Sequence, residues 1–154
     1  MIDTIINKYW TLAQEKYPAL AKYPPPRWNF AKLGKVAGRA FDSHRIELNE
    51  ILYNENKNDF HAGTIPHEVA HCVVYRLYTD HKAPHGKEWK KVMIAFGIEP
   101  ETYHNYSIRN ASRLKIYDYF CECQDWQFTS IRHNRVKKGV VYTCPKCKSE
   151  IMEM

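Results

Sequence analysis

No apolar run in this 154-residue sequence is long enough to cross a bilayer. The longest, residues 92–98, contains Gly97 and falls far short of the roughly 18 residues such a span needs, so a membrane-spanning helix is excluded. The opening MIDTIINKYW carries an acidic Asp3, lacks a basic n-region, and is interrupted by Asn7 and Lys8, so it does not read as a secretory signal. The expected compartment is the cytoplasm, with no membrane partner. Internal repeats and low-complexity tracts are missing too. With 44% apolar and 26% charged residues, the composition is that of one folded domain, or one with a small appendage.

Five cysteines without an export signal argue against a disulfide framework, because reducing compartments leave thiols free for metal. Four fall in two close pairs, Cys121/Cys123 and Cys144/Cys147, while Cys72 stands in an apolar neighbourhood and reads as a small buried residue. Charge is uneven as well. The formal net charge is +6, and residues 109–148, with nine Lys/Arg against three Asp/Glu, account for all of it. A basic excess gathered in one segment points to an anionic partner, against the plainer reading of a solvated face.

Helical spacing of Ile5, Ile6, Tyr9, Leu12 and Ala13 predicts a helix over 3–17, with Asp3 and Thr4 as caps, ending before the stiff Pro24-Pro25-Pro26. Residues 28–49 break into three short strands, the last of which, 45–49, alternates cleanly. A second helix is predicted over 66–78, because proline is tolerated in a first turn. A third runs from after Gly86 to Phe96, where Gly97 offers a left-handed cap and Pro100 blocks continuation. From Tyr117 on, aromatic and β-branched runs (YDYFC, WQFTSIR, GVVYTC) predict a small β unit. The expected chain is therefore α+β: three helices and a short sheet over 1–115, then a small unit over 116–154.

His67-Glu68-Val69-Ala70-His71 is H-E-x-x-H inside the second predicted helix. Four residues at about 100° each leave the two histidines about 40° apart on one face, so both rings reach one ion. Glu68 stands beside the first ligand, placed to meet a water at the metal without binding the metal itself. With eight His and eleven Glu, the pattern arises by chance about 0.03 times per chain. A catalytic zinc takes three protein ligands and keeps one position open. Among His81, His85, Glu88 and His104, His85 is favoured because the freedom of Gly86 lets the backbone turn it back toward the pair. Glu88 is the runner-up, and Trp89 reads as a core anchor. Zinc there would activate a water whose proton Glu68 takes and later returns to a leaving amine, which is amide hydrolysis. Tyr75, Tyr103 and His104 stay open as oxyanion donors, and strand 45–49 is expected to lie beside the metal and pair with an extended substrate.

C-x-C, twenty residues, then C-P-K-C gives Cys121, Cys123, Cys144 and Cys147 as four soft ligands for a structural zinc. His133 is an alternative ligand, since the first pair is tighter than usual. A unit this small with little apolar mass needs metal to fold. Between the pairs, Arg132, Arg135, Lys137 and Lys138 interleave with Tyr119, Trp126, Phe128 and Tyr142. Cations that hold phosphates beside rings that stack bases fit single-stranded DNA or another nucleic acid, and a solvated hairpin is the plain alternative.

The runs I-P-H-E-V-A-H, A-P-H-G-K-E-W-K, C-E-C-Q, I-R-H-N-R-V and Y-T-C-P-K-C, in that order between residues 28 and 151, resemble the SprT-like metallopeptidases, the bacterial SprT proteins and Spartan among them. The resemblance implies a small zincin-like (minigluzincin-type) domain, with zinc held by His67, His71 and His85, Glu68 as the catalytic residue, and a C-terminal zinc ribbon. It also implies a zinc metalloendopeptidase and, for the eukaryotic relatives, cleavage of proteins crosslinked to DNA. The expected molecule is thus a monomeric metallopeptidase acting on protein substrates on or near nucleic acid. The rival from another class is a nucleic-acid-binding protein whose first zinc is structural. Glu68 argues against that rival, because a closed structural site has no use for a carboxylate beside an open coordination position.

Overall fold

The computed structural model describes residues 1–80, 83–111 and 115–154, and the chain divides into two compact units, Met1–His104 and Asn105–Met154. Among the described residues no helix is long and apolar enough to cross a membrane.

In the first unit, α1 (Ile2–Lys16) buries Ile2, Ile6, Tyr9, Trp10 and Ala13, a stripe at helical spacing. Asp3 and Thr4 do not cap it. Met1 holds the cap position without a side-chain bond, and Asp3 Oδ1 instead accepts from Trp28 Nε1 at 3.0 Å. A 3₁₀ turn, Pro18–Leu20, follows, and Trp10 Nε1 donates to the Tyr23 carbonyl at 3.0 Å, tying the chain down before the proline run.

Strands β1 (Arg27–Ala31), β2 (Gly38–Asp42) and β3 (Arg45–Asn49) form one sheet in the order β1-β3-β2, with β1 parallel and β2 antiparallel to β3. This corrects one expectation. Strand 45–49 has a neighbour on each side, so its ladder groups are already paired and it offers no edge to a substrate. The edge strand that packs on the H-E-x-x-H helix is β2.

Residues 50–64, for which spacing predicts no helix, are helical: α2 (Glu50–Glu55), α3 (Lys57–Asp59) and a π-helical turn, Phe60–Thr64, run into α4 (Ile65–Leu77). Among the described residues this domain therefore has five α-helices where three are expected. Asn49 starts the run. Its Oδ1 accepts from the Leu52 amide at 3.3 Å, and its Nδ2 donates to the carbonyls of Gly34 and Val36 at 2.8 and 3.0 Å, so one buried amide caps α2 and pins the β1–β2 loop. Helix α4 buries nine residues, Glu68 and His71 among them. Helix α5 (Lys87–Ala95) buries Trp89, Val92 and Met93 and is followed by Gly97 at φ 74°, the left-handed stop expected there. Trp10, Phe60 and Trp89 are fully buried with Ile46, Leu48 and Ile65. Each such side chain contributes roughly 1.5–3 kcal/mol, and together they make α4 a rigid base for the site.

In the second unit, β4 (Ile116–Phe120) pairs antiparallel with β5 (Asp125–Thr129) and with β6 (Met152–Glu153). The β unit expected from Tyr117 on is only partly β: α6 (Ser130–Lys137) interrupts it, and the GVVYTC run supplies only a bridge, Thr143 to Glu150. The basic residues of that run are good helix formers, and His133 and Val136 turn toward the core. That core is Tyr119, Cys121, Phe128, Cys144 and Ile151. Residues 107–109 belong to this unit: Ile108 N donates to Gln127 Oε1 at 2.6 Å, Gln127 Nε2 to Ser107 Oγ at 3.2 Å, and Arg109 pairs with Asp118.

Candidate active site and metal centres

Helix α4 presents His67 and His71 one turn apart, and the turn before α5 returns His85 to them. Their Nε2 atoms converge at 3.2 Å (His67 to His71), 3.1 Å (His71 to His85) and 2.9 Å (His67 to His85). Tetrahedral ligands of zinc at about 2.0–2.1 Å stand about 3.3 Å apart, so the three rings fit one such ion. The chemistry of the donors agrees. The Glu101 backbone hydrogen-bonds the His67 imidazole, the kind of further contact that orients a ligating histidine. Burial, reinforced by His85, pulls the His67 pKa down to about 4, and burial lowers that of His85, so both rings stay neutral, the ligating form.

Gly86 acts differently from expectation. Its φ of −74° suits any residue. A Cβ there would lie 3.2 Å from the Ala83 carbonyl and 3.3 Å from Glu88 Oε2, so glycine permits a close turn and not an unusual backbone. Among the described residues the group is His67, His71 and His85 without Glu88 or His104, and His81 lies outside the described residues. Trp89 is buried as a core anchor should be. It also backs the ligands, with its ring 4.7 Å from those of His67 and His85 and 5.6 Å from that of His71, and its Nε1 donating to the His67 carbonyl at 3.3 Å.

Glu68 is only 5% exposed and stands outside the three-ligand group. Burial pushes its pKa up to about 8, against the opposing effect of the Ala40 backbone N–H that bonds its carboxylate. Gly38, at the start of β2, makes room for it: a Cβ there would lie 3.1 Å from Glu68 Cγ and 3.3 Å from Oε1. Gly38→Ala should therefore displace this carboxylate without removing the three histidines, so that metal uptake stays at the wild-type level while any hydrolysis that depends on Glu68 falls about tenfold or more. Parallel peptide-cleavage and elemental analyses check it. Of the oxyanion candidates, Tyr75 stacks on His71 with centroids 6.2 Å apart, His104 gives its Nε2–H to the Lys35 carbonyl at 3.1 Å, and Tyr103 is 65% exposed. No assignment follows from these positions.

In the second unit Cys121, Cys123, Cys144 and Cys147 bring their sulfurs within 4.8 Å of one another, with Cys121–Cys123 and Cys123–Cys144 both at 3.7 Å. Sulfurs on a tetrahedral zinc at about 2.3 Å stand about 3.8 Å apart, so this set also fits the ion. Three donors suit thiolates: Trp126 Nε1 to Cys121 Sγ at 3.2 Å, the Lys146 amide to Cys144 Sγ at 3.4 Å, and Ser149 Oγ beside Cys147 Sγ at 2.9 Å, which draws that thiol down to about 6. His133 is not in the group. It is buried, its Nδ1 lies 3.0 Å from the Tyr119 hydroxyl, and its ring stacks on Tyr117 at 3.6 Å.

A profile described as the SprT-like family matches residues 11–107. The chain belongs to the SprT-like family. It is 39% identical over 139 residues to Protein SprT of Salmonella arizonae, covering 88% of this chain and 83% of the relative. To Protein SprT of Vibrio parahaemolyticus it is 38% identical over 150 residues, covering 96% and 86%. No solved structure matches.

Within this SprT-like chain the residues that surround the histidines escape a reading by motif. Gly38 and Ala40 reach Glu68 from a strand far away in sequence, and neither carries a side chain that advertises chemistry. The nucleic-acid candidates separate as well. Arg132, Arg135 and Lys138 are exposed, Lys137 is tied to Glu153 at 2.5 Å, and the half-buried Trp126 has its N–H committed to Cys121.

Proposed function

We propose that this SprT-like chain is a zinc metalloendopeptidase of zincin-like (minigluzincin-type) architecture, cytoplasmic and monomeric, hydrolysing peptide bonds of proteins on or near nucleic acid, crosslinked proteins included. One observation carries the reading: a buried carboxylate, Glu68, stands beside a converging triad of imidazoles without joining it. His67, His71 and His85 would hold a catalytic zinc, and the four cysteines a structural one. The catalytic ion supplies Lewis acidity and makes a water acidic enough to lose its proton near neutral pH. Glu68, whose carboxylate form a bound cation beside it would favour over the raised pKa of the metal-free site, would take that proton and return it to the leaving amine. The Ala40 N–H and the space over Gly38 hold its carboxylate in one orientation, and the Trp89 ring holds the imidazoles. Edge strand β2 takes the role expected of β3 and pairs with an extended peptide. The reading is tested by protein cleavage with and without single-stranded DNA, which a chelator should stop and zinc restore. No cleavage under any of these conditions would favour a binding protein with a structural first site.

Nucleic acid is assigned to α6. Arg132, Arg135 and Lys138 follow each other at three-residue intervals along its exposed side, whereas Lys137 is neutralised by Glu153. Each phosphate contact on a single strand adds about −0.7 to the slope of log affinity against log salt. Arg132→Ala with Arg135→Ala should flatten that slope by about 1.4, and Lys137→Ala by clearly less. Fluorescence anisotropy across a salt series measures both, and a flattening of about 0.7 by Lys137→Ala, the full effect of one contact, would show that Glu153 does not shield Lys137.

A further inference from the structure

The sheet of the first unit turns Ile46 and Leu48 into the core and leaves a basic face outside. Register sets Arg27 of β1 opposite Arg45 of β3, and Arg39 of β2 opposite Glu47. Arg39 is paired, its Nε 2.6 Å from Glu47. Arg27 and Arg45 have no ion pair among the described residues, and Arg45 Nε is buried without a hydrogen-bond partner. Like charges directly opposite each other on neighbouring strands are destabilising unless something sits between them. What lies there is an open hollow of about 290 Å³ lined by Arg27, Asp42, His44 and Arg45. Asp42 also lines the hollow and brings its negative charge there, but among the described residues it forms no ion pair with either arginine: its Oδ1 accepts from the His44 amide at 2.9 Å and lies 3.2 Å from His44 Nδ1. At the rim, Phe41 follows the β2 bulge and is 56% exposed, with the Arg45 guanidinium 4.2 Å from its ring centroid.

Two cations without an ion pair among the described residues, one buried N–H without a hydrogen-bond partner, and an exposed ring against one of the guanidiniums make a site for an oxyanion carried by something that stacks. An acidic side chain of a peptide lying along β2 is the wrong donor. Such a peptide would stand one strand spacing, about 4.8 Å, beyond β2, and would have to reach about 10 Å back to β3 and about 14 Å back to β1. We propose that the outer face of this sheet binds single-stranded nucleic acid, with one phosphate between Arg27 and Arg45 and a neighbouring base against Phe41. The proposal rests on the nucleic-acid part of the function above and extends it to the unit that carries the histidines.

The test uses the full-length, zinc-loaded chain and a labelled oligothymidylate, read by anisotropy across a salt series. Arg27→Gln with Arg45→Gln removes the one phosphate contact and should flatten the salt slope by about 0.7, and the corresponding double lysine variant, which keeps the point charges, should restore it. Phe41→Ala should weaken binding about tenfold with the slope unchanged. Unaltered zinc content and circular dichroism show that the sheet is intact. A slope unchanged in the double glutamine variant overturns the proposal. If the α6 arginine variant flattens the slope while the sheet variant does not, the sheet site is wrong and the nucleic-acid reading stands. Absence of oligonucleotide binding by the wild type overturns both. Inorganic phosphate or polyglutamate displacing the oligonucleotide at equal charge concentration would assign the hollow to a free anion or an acidic protein instead, and also overturn it. Peptide cleavage by the same preparations reports separately on the metallopeptidase.

Discussion

Glu68→Gln should reduce peptide hydrolysis by about 10²–10⁴-fold, the usual contribution of a positioned general base, while leaving zinc content at the wild-type level. The amide has nearly the shape of the acid and fills the same space over Gly38, but it cannot accept a proton. Activity within tenfold of wild type would remove Glu68 from the mechanism. The same variant has a second, independent signature in metal-free protein. The folded pKa of Glu68 lies at about 8, above its ordinary 4.5, so the neutral carboxyl favours the folded state. Its stability contribution is complete below about 4.5 and is lost as pH rises through about 8. Glutamine does not titrate, so the melting temperature of chelated Glu68→Gln should gain on wild type steadily across that window. His67, with its pKa lowered to about 4, adds a loss on the acid side that both proteins share. Parallel melting curves at pH 4, 6 and 9 would show a widening gap, and a constant gap would mean that Glu68 is not desolvated in solution.

What was legible in the sequence follows from which contacts are local. H-E-x-x-H is readable because an α-helix sets the angle between positions 67 and 71, and the period of α4 shows in its own residues. His85 was reachable because a turn between two helices must bring something back, although the part played by Gly86 lay in a close approach that only packing reveals. Strand order is not local. The alternation of residues 45–49 marks a strand with one buried face, and central and edge strands share that pattern, so β3 could not be told from β2. Helices α2 and α3 hide in the polar run Asn54-Glu55-Asn56-Lys57-Asn58, where Asn49 supplies the cap from outside the segment. Residues 130–132 read as part of a β run because β-branched and aromatic neighbours surround them, while tertiary burial of His133 and Val136 selects a helix over Ser130–Lys137. Gly38 and Ala40 could be found only through the carboxylate they face.

Intact protein should contain two zinc ions, and Cys144→Ser should remove one of them together with the fold of residues 105–154. Among the described residues, the core cluster of the second unit holds five buried apolar residues, and two of them, Cys121 and Cys144, are thiols of the metal group. Without an ion, four sulfurs within 4.8 Å of each other must either carry protons in a space shaped for metal or repel as thiolates. The remaining core of Tyr119, Phe128 and Ile151 is too small to offset the entropy of ordering about fifty residues, at roughly 1–2 kcal/mol for each backbone. The first unit has its own core around Trp10, Phe60 and Trp89 and should persist. Spectra of Cys144→Ser should therefore lose the dispersed signals of Tyr119, Phe128 and Trp126 and keep those of Trp10 and Trp89. His67→Ala should do the reverse: one zinc lost, both units folded, hydrolysis gone. One zinc in wild-type protein prepared without chelator, or a folded second unit in Cys144→Ser, would show that the four cysteines are not what holds that unit together.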